Sequence, residues 1–268
     1  MFDYYSNIIR FWGDLMDRRE KRELREQEIV EKTISLFSQQ GFLGVRMSDI
    51  AKQTQYSMGT IYSHFESKED LLVACAHELV KDHQRLFEMV REQSIPTIEQ
   101  IISLVQGVWT VATRFPDLIE IENLSLMHSI WKRATEQRVE AYVRLHENLA
   151  QHLRVMVLEA IGQCIEGYED LEQDELEKMA DYLTHGLWGL SVGLSTIVQS
   201  GYAASQCQEK EEEGGIEHFF ATNYINMLKG YGWREESPEV VFERCSQISE
   251  QLLAQSVWFA PKRSGEQS

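Results

Sequence analysis

Residues 47–68, MSDIAKQTQYSMGTIYSHFESK, constrain this chain more than any other stretch. The run reads as two short helices joined by a tight turn, followed by the start of a third. Ser48 is placed to cap a first helix over Asp49 to about Thr54, because a hydroxyl there satisfies one of the N–H groups that a helix start leaves without a partner. Thr54-Gln55-Tyr56-Ser57 forms the turn, and Ser57 caps a second helix from about Met58 to His64. Ile61 and Phe65, four apart, share a face that turns back onto Ile50 and Ala51 of the first helix. Thr60, Tyr62, Ser63 and His64 are left to point elsewhere. Ser67 with Asp70 three residues on has the spacing of a capping box. A small alanine where two helices cross, with hydrogen-bonding side chains on the second, is the pattern of a helix-turn-helix that lays its second helix in a DNA major groove.

The segment IAKQTQYSMGTIYSHFESKEDLL resembles the DNA-binding segment of the TetR (tetracycline repressor)/AcrR-like family of bacterial transcriptional regulators. The family's Gly-Thr-aliphatic-Tyr-x-His-Phe run and its Ser-Lys-Glu helix start are matched by Gly59, Thr60, Ile61, Tyr62, His64, Phe65, Ser67, Lys68 and Glu69. The resemblance covers about residues 26–72. It implies an all-α fold, with an N-terminal three-helix helix-turn-helix head followed by a larger helical ligand-binding and dimerisation body. It also implies a sequence-specific regulator, a repressor released from a palindromic double-stranded DNA operator by a small-molecule effector. The alternative is a DNA-bound structural or interaction protein of the same fold, acting through a protein partner. Two departures stand out. Gln55 occupies a turn position where the family favours Gly, which adopts left-handed angles freely. Met58 stands where a basic residue is common, so one phosphate or guanine contact is missing.

Affinity for DNA comes largely from phosphates and sequence choice from base edges. Ser48, Tyr62 and Lys68 have the chemistry and placement for phosphates, and the resemblance supports each. Ser57, Met58, Thr60 and His64, around Gly59, are the candidates for base or near-base contact, with His64 equally suited to a phosphate.

The charge balance at first argues against nucleic acid, since the net charge is -17. Its distribution changes that reading. Residues 1–70 carry 10 Lys/Arg and 12 Asp/Glu, a net of -2, and the remaining -15 lies beyond them. An acidic body repels DNA and helps orient the head toward it, although acidity also simply keeps a protein soluble. Cys75, Cys164, Cys207 and Cys245 are widely spaced and form no C-x-x-C pair, so they read as reduced thiols in a cytoplasm. No apolar run approaches the roughly 20 residues of a membrane span. A cytoplasmic protein is expected.

In chain order, residues 1–25 form an N-terminal extension. Tyr5, Ile8, Ile9, Trp12, Leu15 and Met16 recur at helical spacing, and Arg18, Arg19, Lys21, Arg22 and Arg25 follow, interleaved with Glu20 and Glu23. That mixture reads either as a solvated helix face with i,i+4 pairs or as a basic arm beside the main DNA site. The head, 26–72, opens on a helix from about Glu26 to Gln40, with Ile29, Val30, Ile34 and Phe37 buried and Gly41 as its stop. A body of 73–232 follows. Its helices are expected at about Lys68–Glu92, Ile98–Arg114, Pro116–Lys132, Ala134–Gly162, Glu175–Ser200 and Ile216–Lys229. Loops are expected at 167–174 and 201–215. Ser237 and Pro238 open an extra C-terminal helix to about Gln255 within 233–268, ending in a polar tail.

The helices 175–200 and 216–229 are the most apolar, and they resemble the pair that builds a four-helix homodimer interface in the family. The resemblance also implies an effector pocket in the body, for which Trp109, Phe115, Met127, His128, Trp131, His146 and Trp188 are the candidates, each equally explicable as core. Glu120 and Glu122 nearby would favour a cation. Nothing supports an enzyme, a cofactor or a metal site: there is no Gly-rich phosphate loop and no H-E-x-x-H, and His146 and His152 are too far apart in register to share a helix face.

Overall fold

The computed structural model describes residues 2–164, 168, 171–200 and 215–260, with side chains from Arg18 onward except those of 164 and 215–217. The apolar positions Tyr5–Met16, most of the two expected loops, Cys207 and the tail 261–268 therefore lie outside the described side chains or residues. Among the described residues there are eleven helices and no β-strand. By contact the chain divides into two compact units, Met1–His77 with Ile121–Tyr142, and Glu78–Glu120 with Val143–Ser268.

The first unit opens on α1 (Phe2–Gly44). The helical N-terminal extension expected over residues 1–25 runs on, from Phe2, into the first head helix. Residues 14–40 contain no Gly or Pro to interrupt it, and the surface pairs Arg19–Glu23 and Gln27–Glu31 follow helical i,i+4 spacing. Gly41 breaks the geometry with φ 70° and ψ 156°, a region open essentially to glycine, so regular helix ends where the sequence places its stop. Ile29, Val30, Ile34 and Phe37 are buried as the periodicity requires, and Phe42 meets Phe37 edge-on at 5.5 Å between centroids.

α2 (Met47–Thr54) and α3 (Met58–His64) follow, then α4 (Lys68–Arg91). α2 starts earlier than expected. Its cap is Arg46, whose backbone N–H donates to Asp49 Oδ2 at 3.0 Å, so Ser48 lies exposed in the first turn and does not cap. Ile50, Ile61 and Phe65 are fully buried between these helices, each contributing on the order of 1.5–3 kcal/mol of hydrophobic stabilisation.

The segment 121–142 completes this unit. It holds the end of α6 (Pro116–Ser125), α7 (His128–Trp131) and the start of α8 (Glu136–Cys164). A single helix from Pro116 to Lys132 was expected, but it breaks after Ser125. The Trp131 indole N–H donates to the Ser125 carbonyl at 2.6 Å, occupying the acceptor that a continuing helix would use. The Ser125 hydroxyl donates to the carbonyls of Ile121 and Leu72.

The second unit is built on α5 (Thr97–Arg114), flanked by α9 (Gln173–Gln199) and α11 (Pro238–Leu253). α10 (Gly215–Gly230) packs on α9 and α11. Trp109 of α5 stacks on Phe220 of α10 at 4.3 Å between centroids. The C-terminal helix is bound along α5: Gln106 Nε2 donates to the Phe242 carbonyl, Cys245 Sγ to the Glu99 carbonyl, and Ser249 Oγ to the Ser103 carbonyl. A Cβ on Gly107 would lie 2.7 Å from Leu86 Cδ2, a measure of how closely α4 approaches α5 there. The chain after α11 is held by Asp82 of α4, whose fully buried carboxylate accepts from Ser256 Oγ, Val257 N and Trp258 N.

Candidate nucleic-acid interface

The exposed edge of the first unit is set by α3 and its turn. Gln55 takes φ 60° and ψ 18°, the left-handed conformation for which the turn has no glycine, and its N–H closes on the Lys52 carbonyl. Thr54 supports it from inside, donating to the Ile50 carbonyl at 2.8 Å and accepting from Tyr56 N. Ser57 caps α3 as the sequence indicates: its Oγ accepts from Thr60 N at 3.1 Å and lies 2.9 Å from Thr60 Oγ1. The Tyr56 hydroxyl donates to Glu28 Oε2 at 2.6 Å, and that carboxylate raises the phenol pKa by holding its proton.

With Ile61 and Phe65 buried, α3 presents Ser57, Met58, Gly59 and Tyr62 outward, and Ser48 is exposed on α2. Thr60 is half-buried, with its hydroxyl beside the cap. Tyr62 is 50% exposed, so its phenol stands clear of the core.

Two of the expected contact residues are placed differently. The His64 side chain is only 3% exposed, and its Nδ1 lies 3.4 Å from Glu26 Oε2, so the ring faces α1 and not the open side of α3. Nothing in its spacing distinguishes an outward histidine from one turned onto a neighbouring helix. Lys68 is half-buried: Nζ donates to the carbonyls of Phe42 at 2.8 Å and Val45 at 3.0 Å and lies over the Phe42 ring. Burial lowers its pKa from the usual lysine value. It secures the chain after α1, and these two carbonyls take two of its three N–H groups.

A residue that the motif did not point to organises the inner side of α3. Arg138 of α8 donates from Nη2 to the His64 carbonyl and to Glu26 Oε1, and from Nε to Asp70 Oδ2, while its guanidinium lies 4.5 Å from the Phe65 ring centroid. Asp70, expected only as a capping residue, accepts from Glu66 N, Thr135 N, Thr135 Oγ1 and Arg138 Nε at 1% side-chain exposure. Half of the expected capping box is present: Ser67 Oγ accepts from Asp70 N at 2.9 Å, while the Asp70 carboxylate takes the N–H of Glu66 and not that of Ser67. No local signal could have paired residues this far apart.

The seven effector candidates are divided between the two units. Met127, His128 and Trp131 belong to the first unit, and Trp109, Phe115, His146 and Trp188 to the second. Met127 and Trp188 are 53% and 47% exposed, His128 is exposed, Trp131 is engaged with Ser125, and Trp109 is stacked in the core. On α9, Tyr182, Trp188 and Ile197 are exposed together with Gly189 and Gly193, where an added Cβ meets nothing within 4 Å, and Phe219 of α10 is 53% exposed. Among the described residues there is no group of His, Cys, Asp and Glu that could hold a metal ion, and no helix is long and apolar enough to cross a membrane.

Residues 29–75 match the model of the bacterial regulatory proteins of the tetR family. The HTH-type transcriptional regulator AcrR of Shigella flexneri is 27% identical over 59% of this chain and 66% of its own length. The chain spans about half to two thirds of the length of the curated relatives it matches. Among solved structures, CprB of S. coelicolor A3(2), a TetR family protein, is similar with a TM-score of 0.55, at 15% identity over 85% of this chain and 98% of that one. A putative transcriptional regulator from Saccharomonospora viridis, solved in complex with choline, has a TM-score of 0.54 at 20% identity over 79% of this chain and 98% of that one. Both likenesses are of fold.

Proposed function

We propose that this chain, whose residues 29–75 match the tetR-family model, is a sequence-specific DNA-binding transcriptional regulator, a repressor released from a palindromic operator by a small-molecule effector. The observation that carries this reading is the capped, exposed α3: Ser57 closes its N-terminus, Ile61 and Phe65 anchor it, and Ser57, Met58, Gly59 and Tyr62 face outward. A helix held by its inner face and bare on its outer face is what entry into a major groove requires. Thr60 lies beside the cap, within reach of a thymine methyl or a base edge. Ser48, Tyr62 and the remaining N–H of Lys68 serve phosphates, while His64, turned onto Glu26, supports α3 from the inner side.

The protein works as a homodimer through α9 and α10, whose exposed Tyr182, Trp188, Ile197 and Phe219 are apolar, while Gly189 and Gly193 leave room for close approach of another helix. The effector is taken up within the second unit. Trp109 and Phe115 are its aromatic candidates, and the buried Thr184 hydroxyl, which has no hydrogen-bond partner among the described residues, is a polar group that a ligand would satisfy.

The test is selection of bound sequences from genomic DNA fragments by the purified protein at one stated salt concentration. A palindromic site overlapping a promoter is expected. Recovery of fragments without sequence preference would overturn the reading.

A further inference from the structure

The recognition surface itself is poor in positive charge. From Met47 to Ser67 the only Lys or Arg is Lys52, and Lys68 spends two of its three N–H groups on backbone carbonyls. Phosphate neutralisation supplies most of the affinity of a DNA-binding head, so cations must come from elsewhere. Of the 10 Lys and Arg in residues 1–70, five fall in the eight positions 18–25.

These five are placed to be useful. At 3.6 residues per turn, Lys21, Arg25, Arg18 and Arg22 fall within an arc of about 100° on α1, while Glu20 and Glu23 lie on the other side. Arg19, the fifth, is paired with Glu23. The basic arc faces α3. Arg22 Nη2 donates to the Ser63 carbonyl in the last turn of α3 at 3.0 Å. Arg25 is close enough to the Tyr56 hydroxyl, at the other end of α3, for its charge to act on that group. The helix that carries them is continuous with the buried part of α1, so these side chains project from an anchored element and not from a loose arm.

We propose that this extension of α1 is a second DNA-contacting element, in which Arg18, Arg22 and Arg25 meet the phosphates flanking the base pairs read by α3. The proposal rests on the reading that the head binds DNA. It gives the protein a longer footprint than its helix-turn-helix alone would have. It also supplies the charge that Met58 and the capped Lys68 do not. Because phosphate contacts carry no sequence information directly, the extension adds affinity without changing the preferred bases.

The test uses the full chain and a duplex recovered by the selection above, titrated at several salt concentrations. Arg18→Ala/Arg25→Ala is the variant: both residues are exposed, and Arg22 is left to hold Ser63. The slope of log K against log salt should fall by about two, and binding at fixed salt should weaken roughly tenfold. The selected sequence should stay the same. Trimming the base pairs that flank the palindrome should weaken the wild type more than the variant, which keeps only Arg22 of the three arginines. A wild-type slope in the variant, with trimming affecting both proteins alike, would overturn the proposal while leaving the regulator reading intact. A wild type that binds no duplex would overturn both.

Discussion

Arg138 donates from its Nη2 to the backbone carbonyl of His64 at 3.0 Å, across 74 positions of sequence. That carbonyl lies in the last turn of α3, so the end of the outward-facing helix is held by a side chain from α8. The same Nη2 reaches Glu26 at 2.8 Å and the Nε reaches Asp70 at 3.3 Å, tying α3, α1 and α4 through one guanidinium. Replacing Arg138 with Ala leaves the buried Asp70 without one of its donors and the His64 carbonyl of α3 without its side-chain donor. The expected loss is about 2 kcal/mol, below the figure for a fully buried pair because the Arg138 side chain is 23% exposed. Lysine should not restore it, since a single ammonium cannot reproduce the fork. Urea unfolding of the three proteins checks this, and equal midpoints would show that the guanidinium does not hold α3.

The turn before α3 carries a second prediction. Gln55 sits at φ 60°, where a side chain costs energy that glycine does not. Gln55→Gly should therefore stabilise the protein by about 0.5 kcal/mol, the relief of strain being partly offset by the greater freedom of an unfolded glycine. Ser57→Ala should cost about 1 kcal/mol through loss of the α3 cap, and Ser57→Gly only a few tenths. Thermal melts of the three variants decide. A Gln55→Gly protein less stable than the parent would mean that the glutamine side chain has a stabilising contact of its own.

What was legible in the sequence follows from this geometry. The Ser57 cap, the Ile61–Phe65 face and the stop at Gly41 each depend on residues within a few positions of one another, and local pattern revealed them, while the left-handed turn at Gln55 was indicated by the family resemblance. The placement of His64, the carbonyl bonds of Lys68 and the whole Arg138–Asp70–Glu26 cluster depend on partners 23 to 112 residues away. No local pattern encodes those partners. The break after Ser125 was missed for a similar reason, because an indole six residues on competes for a helix carbonyl, and the apolar periodicity continues through the break. The effector candidates were chosen for aromatic character, which marks core packing as readily as a pocket.

Lys68 separates stability from binding. Lys68→Ala should destabilise the head by about 1 kcal/mol, because the Phe42 and Val45 carbonyls lose their donor. It should also lower the salt slope of DNA binding by about one, through the third N–H. A stability loss with an unchanged slope would assign the lysine to folding alone.

Gly193 tests the homodimer. An added side chain there meets nothing within 4 Å in the protomer, and leucine has a higher helix propensity than glycine by roughly 0.8 kcal/mol. Gly193→Leu should leave the protomer folded, and even slightly stabilised, while blocking close approach of a second α9. Sedimentation velocity should show the parent as a dimer and the variant as a monomer. A variant that remains dimeric at the parent's concentration dependence would place the interface elsewhere.

The alkaline limit of stability should depend on Cys245. Its thiol is buried under α5, donates to the Glu99 carbonyl at 3.4 Å, and has its pKa pushed up from 9.0 to about 11 by that burial. The unfolded thiol begins to ionise near pH 9 while the folded one stays protonated, so between pH 9 and 11 the unfolded state binds fewer protons. Stability must fall with rising pH across that window. The contribution is fully present below pH 9 and is lost by about pH 11, amounting to about 2 kcal/mol for a shift of this size. Tyr142 and Tyr224 are also buried with raised pKa values, and their unfolded forms ionise near 10, so they add to the loss at the upper end. The comparison of the parent with Cys245→Val at pH 8, 9, 10 and 11 isolates the thiol. The parent should lose more stability than the variant from pH 9 onward, and parallel curves would show that Cys245 is not protected from ionisation in the folded protein.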